Sequence, residues 1–257
     1  MFKKELLAIR TKMLWGLIIV CILAVGIPLL YPMATSTTII PTDDLNTTPA
    51  GFDAELIKAM ERMRQDYSFY LWSQWAGKNL PQAGVIMAII LGMGIVANEY
   101  KRKTALFLLA RPISRTRILG NKFAAGIISL AAIIFVSTVT MLFTAWMAGN
   151  NFHWGTQIAF AIPAFFGSVL VFTITAFFSS FAPSAITAAA GGLAVSICSV
   201  LSSYFLKSNV LNILFLMAGV RFFEKGIFPI AFVITSTLLA AMFFFLTLLR
   251  FSRREVL

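Results

Sequence analysis

The sequence predicts an all-α integral membrane protein with six transmembrane helices, and three observations carry that prediction. Hydrophobic residues make up 59% of the 257-residue chain and charged residues only 12%, whereas ordinary soluble domains carry about 25% charged residues. Apolar runs of about 20 residues, long enough to cross a bilayer, occur six times. The charges between those runs fall into two groups, one strongly basic and one balanced.

Several classes of function are excluded by the residues present. Cys21 and Cys198 both lie in apolar runs, so we expect core thiols rather than a disulfide. The single histidine, His153, cannot build a metal site or a catalytic triad. No Gly-x-x-x-x-Gly-Lys-Ser/Thr loop occurs, so the chain has no phosphate-binding loop of its own. We therefore predict no catalytic residue, no metal site, no cofactor bound by this chain, and no enzyme activity.

Residues 1–12 predict a short amphipathic helix that precedes the first span. Phe2, Leu6, Ile9 and Met13 recur at helical spacing, with lysines and arginines on the rest of the surface. Such a helix suits the inner membrane surface, and a solvated basic leader is the alternative. Residues 13–33 exceed the apolar region of a signal peptide, about 7–15 residues, and predict an uncleaved span.

Residues 34–79 form a large external loop, and its second half predicts an amphipathic helix over 53–75. Apolar and aromatic residues recur there at steps of three and four: Leu56, Met60, Met63, Tyr67 and Tyr70. Gly77 and Pro81 read as stop signals for that helix. It could be a lid or docking surface, or a helix that shields the bundle.

The second span is predicted over 80–98, and four more follow over 123–148, 156–181, 183–206 and 227–250. Small residues repeat at every fourth position in two of them, which allows close helix packing: Gly84, Ala88 and Gly92, then Ala188, Gly192 and Ser196. The second set fits a subunit interface or the core of one chain. Pro163 is expected to kink its span, and residues 182–184 predict a tight turn.

Residues 207–226 are neither clearly spanning nor fully polar. Their apolar part, 211–220, is about ten residues long, too short to cross the hydrocarbon layer. Such a run predicts a re-entrant or interfacial segment, because irregular backbone at membrane depth must be covered by protein.

Charge fixes the expected orientation. Six spans put residues 1–12, the loop 99–122 and the C-terminal tail on one side, and these hold all of the net charge of +11. The other side balances seven basic residues against seven acids. The positive-inside rule then makes the basic side cytoplasmic. The excess charge is thereby explained without nucleic acid. We expect both termini in the cytoplasm. We expect the membrane to be the inner membrane of a bacterial cell.

The loop 99–122 is the only long charged segment between two apolar ones. Seven lysines or arginines frame an apolar run, 105–110, with one acid, Glu99. A basic frame alone fits contact with anionic lipid, at about 1 kcal/mol per residue. The apolar run between the cations is better explained by a protein that docks there, since lipid attraction accounts only for the charge.

This loop resembles the cytoplasmic loop of the second type of ATP-binding-cassette exporter permease. That family shows an acid after the second span, Gly-Thr, a leucine-rich helix, Arg-Pro, Ser-Arg and a lysine that opens the third span. The matching residues here are Glu99, Thr104, Leu106, Leu108, Leu109, Arg111, Pro112, Ser114, Arg115 and Lys122. The sequence departs from the pattern at Lys103, where the family often has glycine. The six-span layout matches over almost the whole chain.

The resemblance implies a function and a set of partners. Two permease subunits, identical or different, would enclose the pathway, and separate ATPase subunits would bind ATP and Mg. The helix 99–111 would lie in a groove of the ATPase, with Glu99, Lys101, Arg102 and Thr104 among its coupling residues. Membrane lipid would surround the spans, and export of an apolar or amphipathic substrate is expected.

Two other functions stay open from the residues alone. A non-transporting membrane scaffold or assembly factor would have the same composition. An ion-coupled carrier usually places a carboxylate within a span, and no span here has one near its middle. The spans do contain hydroxyls, which we expect to bond back to their own helices: Thr138, Thr140, Thr173, Thr175, Ser199, Ser202 and Thr235.

Overall fold

The computed structural model describes residues 2–36, 54–97, 115–149 and 151–253, and in these ranges the chain is all-helical with no strand. The helices are α1 Phe2–Ser36, α2 Ala54–Gln65, α3 Tyr67–Leu71, a π-helix Trp72–Asn79, α4 Leu80–Gly92, α5 Arg115–Met147, α6 Trp154–Ala159, α7 Ala161–Ser179, α8 Ala185–Phe205, a 3₁₀ turn Asn209–Leu211, α9 Ile213–Ala218, α10 Val220–Lys225 and α11 Ile230–Arg253.

Five helical stretches among the described residues are long and apolar enough to cross a membrane. They are Lys3–Ala34, Thr116–Met147, Trp154–Ser179, Ala185–Phe205 and Ile230–Phe251. The prediction of an all-helical, multi-pass membrane protein is confirmed at this level. The second predicted span, 80–98, is not among the five, because α4 has only 13 residues. At 1.5 Å per residue, α4 is about 20 Å long.

The N-terminal segment and the first span form one helix. α1 runs for 35 residues without a break at residue 12, so the expected boundary between a surface helix and a span is absent. The reason is packing: Leu6 and Ile9 are half-buried and α1 lies along α5. The apolar face read as membrane-facing at this end is therefore at least partly covered by protein.

The predicted external helix over 53–75 is broken at Asp66. Asp66 has an extended backbone, and its carboxylate accepts the Phe69 backbone N–H at 3.1 Å, which caps α3. Gly77 and Pro81, read as stop signals, lie inside a helical path that continues from Tyr67 to Gly92. The Leu80 N–H bonds to the Trp75 carbonyl, five residues back, so the π-helix ends beside the proline that has no N–H to donate.

The fourth predicted span begins with a short helix and a break at Phe160. α6 ends at Ala159, and α7 begins at Ala161. A proline ring clashes with the carbonyl four residues before it, and for Pro163 that residue is Ala159. The expected distortion therefore lies one turn before the proline. α7 ends at Ser179 and α8 begins at Ala185, in agreement with the tight turn predicted over 182–184.

α7 is the central helix of the described bundle. Buried residues occur on all its faces, and α4, α5, α8, α9 and α11 pack against it. In contrast, α8 and α11 expose apolar side chains over most of their length, as lipid-facing or interface helices do. The segment after α8 folds as the short helices α9 and α10, which Gly219 joins at a φ of +63°.

Candidate functional site

Most of the predicted coupling residues lie outside the described residues. These are Glu99, Lys101, Arg102, Thr104, Leu106, Leu108, Leu109, Arg111 and Pro112. Arg115 is the first residue of α5. The structure does describe the two places where the loop 98–114 joins the bundle, which we call the loop base: Ile90 to Ala97 on one side and the first two turns of α5 on the other.

Ser179 holds the first side of the loop base. The backbone N–H groups of Val96 and Ala97 donate to Ser179 Oγ at 3.1 and 2.9 Å. The same hydroxyl donates to the Met93 carbonyl at 3.0 Å. Ser179 is fully buried, and both Val96 and Ala97 are 1% exposed. One side chain at the end of α7 thus fixes the backbone of the last described residues before the loop.

Lys12 adds a second tie to the same segment. Its ammonium donates to the Ile90 carbonyl at 3.2 Å, in the last turn of α4, where carbonyls have no partner within the helix. A cation there also interacts favourably with the helix dipole. α1 is thereby connected to the end of α4 by a hydrogen bond as well as by apolar packing.

The second side of the loop base is the start of α5. Ile118 and Leu119 are 2% and 1% exposed, so α5 is anchored in the core within one turn of its beginning. Lys122 Nζ lies 3.4 Å from Glu5 Oε2 of α1, and both side chains are largely buried. Both sides of the loop base therefore contact α1, and the first side is also held by Ser179 of α7.

The sequence did not single out Ser179, Lys12 or Glu5 as contributors to this site. Ser179 looked like one more hydroxyl in an apolar helix, and such hydroxyls usually bond to their own helix. One feature of the sequence could have identified it. Ser179 lies at the end of the span, immediately before a tight turn, where its hydroxyl can reach backbone groups outside its own helix.

The small residues of α4 and α8 face α7. A Cβ added to Gly84 would meet the Ser168 hydroxyl, and one added to Gly92 would lie 2.8 Å from the Phe172 carbonyl oxygen. Ala88, between them, is fully buried. On α8, a Cβ added to Gly192 would meet the Thr175 hydroxyl, so this face packs within the chain.

The other residues of the α8 set lie on the same buried face. Ala188 is fully buried, and Ser196 is 9% exposed with its hydroxyl donated to the Gly192 carbonyl at 2.9 Å. The hydroxyls of the spans bond back to carbonyls of their own helices, as predicted: Thr138, Thr140, Thr173, Thr175, Ser199, Ser202 and Thr235. Thr138 also accepts the Trp75 indole N–H at 3.2 Å.

At the loop base, the contacts among the described residues are packing, hydrogen bonds and the Lys122–Glu5 ion pair. No group of three or more His, Cys, Asp or Glu side chains among them could hold a metal ion. What the arrangement can do is mechanical: it joins both ends of the segment 98–114 to the bundle, through specific polar contacts with the central helix and the first helix.

Comparison with protein families gives one match. The family model described as "ABC-2 family transporter protein" matches residues 1–223, which include every helix from α1 to α9 and the loop between α4 and α5. No curated protein and no solved structure matches the chain.

Proposed function

The chain belongs to the ABC-2 family of transporter proteins, a family of membrane permeases associated with ABC ATPase subunits, and from that premise we propose a specific function. It is the permease subunit of an ATP-driven exporter whose ATP and Mg are bound by a separate ATPase chain. The family match confirms the resemblance read from the loop sequence. Permeases of this family are not themselves catalytic, so ATP hydrolysis takes place on the separate ATPase chain.

The observation that carries the proposal is the attachment of the loop base. An apolar run framed by cations, 105–110, suits a groove with acidic rims on a partner. Force on that loop passes to α7 through Ser179, because its hydroxyl bonds three backbone groups of the segment that leads into the loop. It passes to α1 through Lys12 and the Glu5–Lys122 pair.

Coupling in this scheme is a difference in free energy. The ATPase binds one arrangement of the loop more tightly when it closes on ATP, and the bundle shifts toward the arrangement that this loop position favours. α1 and α7 move with the loop because polar contacts join them to its base, whereas α8 and α11 contact the bundle mainly through α7.

Six spans are predicted, and five long helices are observed among the described residues. We assign the helical path Tyr67–Gly92 as the remaining span, the second along the chain. α4 alone is too short for a hydrocarbon layer of about 30 Å, but the π-helix and α3 extend it, and most of this path is buried in the bundle. Six spans place both termini and the loop 98–114 in the cytoplasm by the charge distribution. The short helices α9 and α10 then form a re-entrant segment at the outer end, and the membrane is a bacterial inner membrane.

A second permease subunit completes the pathway, and membrane lipid covers the remaining surface. α8 and α11 leave a large apolar area uncovered in one chain, including Ile186, Leu193, Leu238 and Phe245. This supports burial in lipid or against a second copy. The uncharged, phenylalanine-rich spans support an apolar or amphipathic cargo, and family resemblance supports export.

Docking is tested by copurification with the ATPase. Replacing Arg111, Leu108 and Leu109 together by alanine removes two leucines of the apolar run and one flanking cation. We expect ATPase recovery with the permease to fall at least about tenfold, the effect of about 1.4 kcal/mol. ATP hydrolysis stimulated by the permease should fall with it.

The matched control carries the same three changes at the other end of the bundle, at Arg221, Leu206 and Leu211, all exposed. It should copurify normally. Full binding and activity of the loop variant would refute docking and favour a scaffold. Transport driven by an ion gradient with no ATPase present would instead identify a carrier.

A further inference from the structure

A cavity of about 270 Å³ lies at the end of the bundle opposite the loop base. Three elements line it: the π-helix with the start of α4, the end of α8, and the segment of short helices. The lining residues are Trp72, Gly77, Lys78, Pro81, Gln82, Val200, Asn212, Leu214, Phe215, Ala218 and Val220. Neither the loop base nor the proposed coupling contacts use any of these side chains.

The wall of the cavity is apolar and held in place. Trp72 donates its indole N–H to the Ala218 carbonyl at 3.1 Å and stacks on Phe223 with ring centroids 4.5 Å apart. The Asn212 carboxamide accepts the Phe215 backbone N–H at 3.1 Å, which caps α9. These polar groups are satisfied by the fold, so they leave a preformed apolar surface rather than free hydrogen-bonding groups.

Two polar side chains at the cavity are not used in this way. Lys78 and Gln82 lie four residues apart, both exposed, where the π-helix passes into α4. Among the described residues neither has a hydrogen bond or ion pair, and Lys78 is the one charged residue of the lining. A cation and a carboxamide beside an apolar wall match a ligand with an anionic head and an apolar chain.

The size and depth of the cavity narrow the ligand further. Sites that enclose whole drug-sized ligands are about 300–1,000 Å³, so this cavity fits a head group and the first carbons of a chain. Val200 lies in the last two turns of α8, so the cavity is close to the end of that helix, and the long Lys78 side chain can extend its ammonium group toward the lipid head groups.

We propose that this cavity binds the phosphate-bearing head of an anionic amphiphile. Lys78 and Gln82 contact the phosphate, and Trp72, Leu214 and Phe215 contact the start of the chain. The ligand comes either from the bilayer or from the transported cargo. Binding needs no ATPase, so the inference stands apart from the proposed function, and only its assignment to the outer leaflet rests on the proposed topology.

The test uses the full chain in phosphatidylcholine nanodiscs with a phosphatidic acid that carries a photoreactive group near its head. Crosslinked residues are mapped by mass spectrometry. We expect crosslinks concentrated on the cavity lining and displaced by phosphatidylglycerol but not by added phosphatidylcholine. Crosslinks spread evenly over the exposed faces of α8 and α11, with no enrichment at the cavity, would overturn the proposal.

Two pairs of variants make the result specific. Lys78→Gln should lower the cavity crosslinks about tenfold, whereas Lys225→Gln, an exposed lysine outside the lining, should leave them unchanged. Val200→Trp fills the cavity and should also remove them. Leu201→Trp introduces the same residue at the next position of α8. Leu201 is 46% exposed and lies outside the lining, so this variant should have no effect. Wild-type crosslinking by Lys78→Gln would refute the assignment.

A second arm distinguishes the two sources of the ligand. The permease is assembled with its ATPase, and crosslinking is measured with and without ATP. Unchanged occupancy identifies a lipid of the bilayer, and occupancy that rises with ATP turnover identifies cargo. Either result retains the phosphate-amphiphile site. Failure of the ATPase to assemble would count against the proposed function only, since the nanodisc result without ATPase is independent of it.

Discussion

The two ends of the bundle differ in the contacts that predominate: polar contacts between helices at the loop base, and packed aromatic rings with a few hydrogen bonds at the opposite end. At the loop base, hydroxyl and ammonium groups bond to backbone atoms and to a carboxylate: Ser179, Lys12 and the Lys122–Glu5 pair. At the opposite end, aromatic rings pack on one another around Trp72 and Phe160, with Arg62 over Phe69 at 4.3 Å. Hydrogen bonds fix position and direction, whereas ring packing tolerates sliding and tilting.

The comparison indicates that the two ends have different functions. An end that must transmit the motion of a partner benefits from contacts with defined geometry, because a directional bond moves both of its members together. An end that binds a ligand in a preformed cavity can rely on packed rings, which fill space without a directional bond at every contact. Four experiments test whether this contrast is real.

The largest effect is expected at the aromatic end, for Trp75→Ala. Trp75 is 1% exposed and its indole donates to Thr138. Large-to-small changes of this kind cost about 3–5 kcal/mol. Reversible unfolding in mixed micelles measures the loss, and Trp146→Ala, at a side chain 57% exposed, is the control. Equal losses for both would contradict the packing described for this end.

Ser179→Ala comes next and breaks the loop base. Two buried backbone N–H groups lose their acceptor, at about 1–3 kcal/mol for an unsatisfied buried group. Ser129→Ala is the matched control: it is equally buried, but its hydroxyl donates only to the Ala125 carbonyl of its own helix at 2.8 Å. Amide hydrogen exchange at Val96 and Ala97 should rise in the first variant and stay unchanged in the second. Equal exchange in both would remove Ser179 from the account.

Arg62→Ala tests the contact between α2 and the aromatic end. The guanidinium lies over Phe69 and 5.6 Å from the ring centre of Phe223, and exposed pairs of this type contribute about 0.5–1 kcal/mol. Proteolysis within α2 should become faster by a few-fold, while Arg64→Ala on the same helix should leave it near the wild-type rate. Identical rates would show that α2 is held by other contacts.

The smallest effect is expected for the Lys122–Glu5 ion pair. A double-mutant cycle with Glu5→Gln and Lys122→Gln should give a coupling energy of about 1 kcal/mol or less. Because both side chains are largely buried, this energy should decrease only slightly as salt is raised. A coupling energy near zero at low salt would mean that this ion pair does not help to join α1 and α5.

The sequence predicted those features of the fold that depend on apolar patterning and on turn residues. Apolar runs identified the five long helices, the residues 182–184 identified the hairpin between α7 and α8, and the small residues Gly84 and Gly92 identified a close-packed face of α4. These features follow from local composition, because burial and turn geometry leave direct traces in the residues.

The sequence failed where a long-range contact overrides local preference. Gly77 and Pro81 are helix-stopping residues, yet a π-helix and tertiary packing carry the chain through them, while Asp66 caps a new helix. The N-terminal helix continues into the first span because α5 covers part of its apolar face. Ser179 could not be identified because its partners lie over 80 residues away in sequence.

The central claim is that an ATPase acts on the loop 98–114 and that Ser179 carries the effect to α7. Hydrogen–deuterium exchange of the permease, alone and with the ATPase and a non-hydrolysable ATP analogue, tests it without knowledge of the cargo. The account predicts protection over 99–111 in all variants. It also predicts an altered exchange rate at α7 in wild type and Ser129→Ala, and none in Ser179→Ala. Unprotected 99–111, or an α7 response that survives Ser179→Ala, would contradict it.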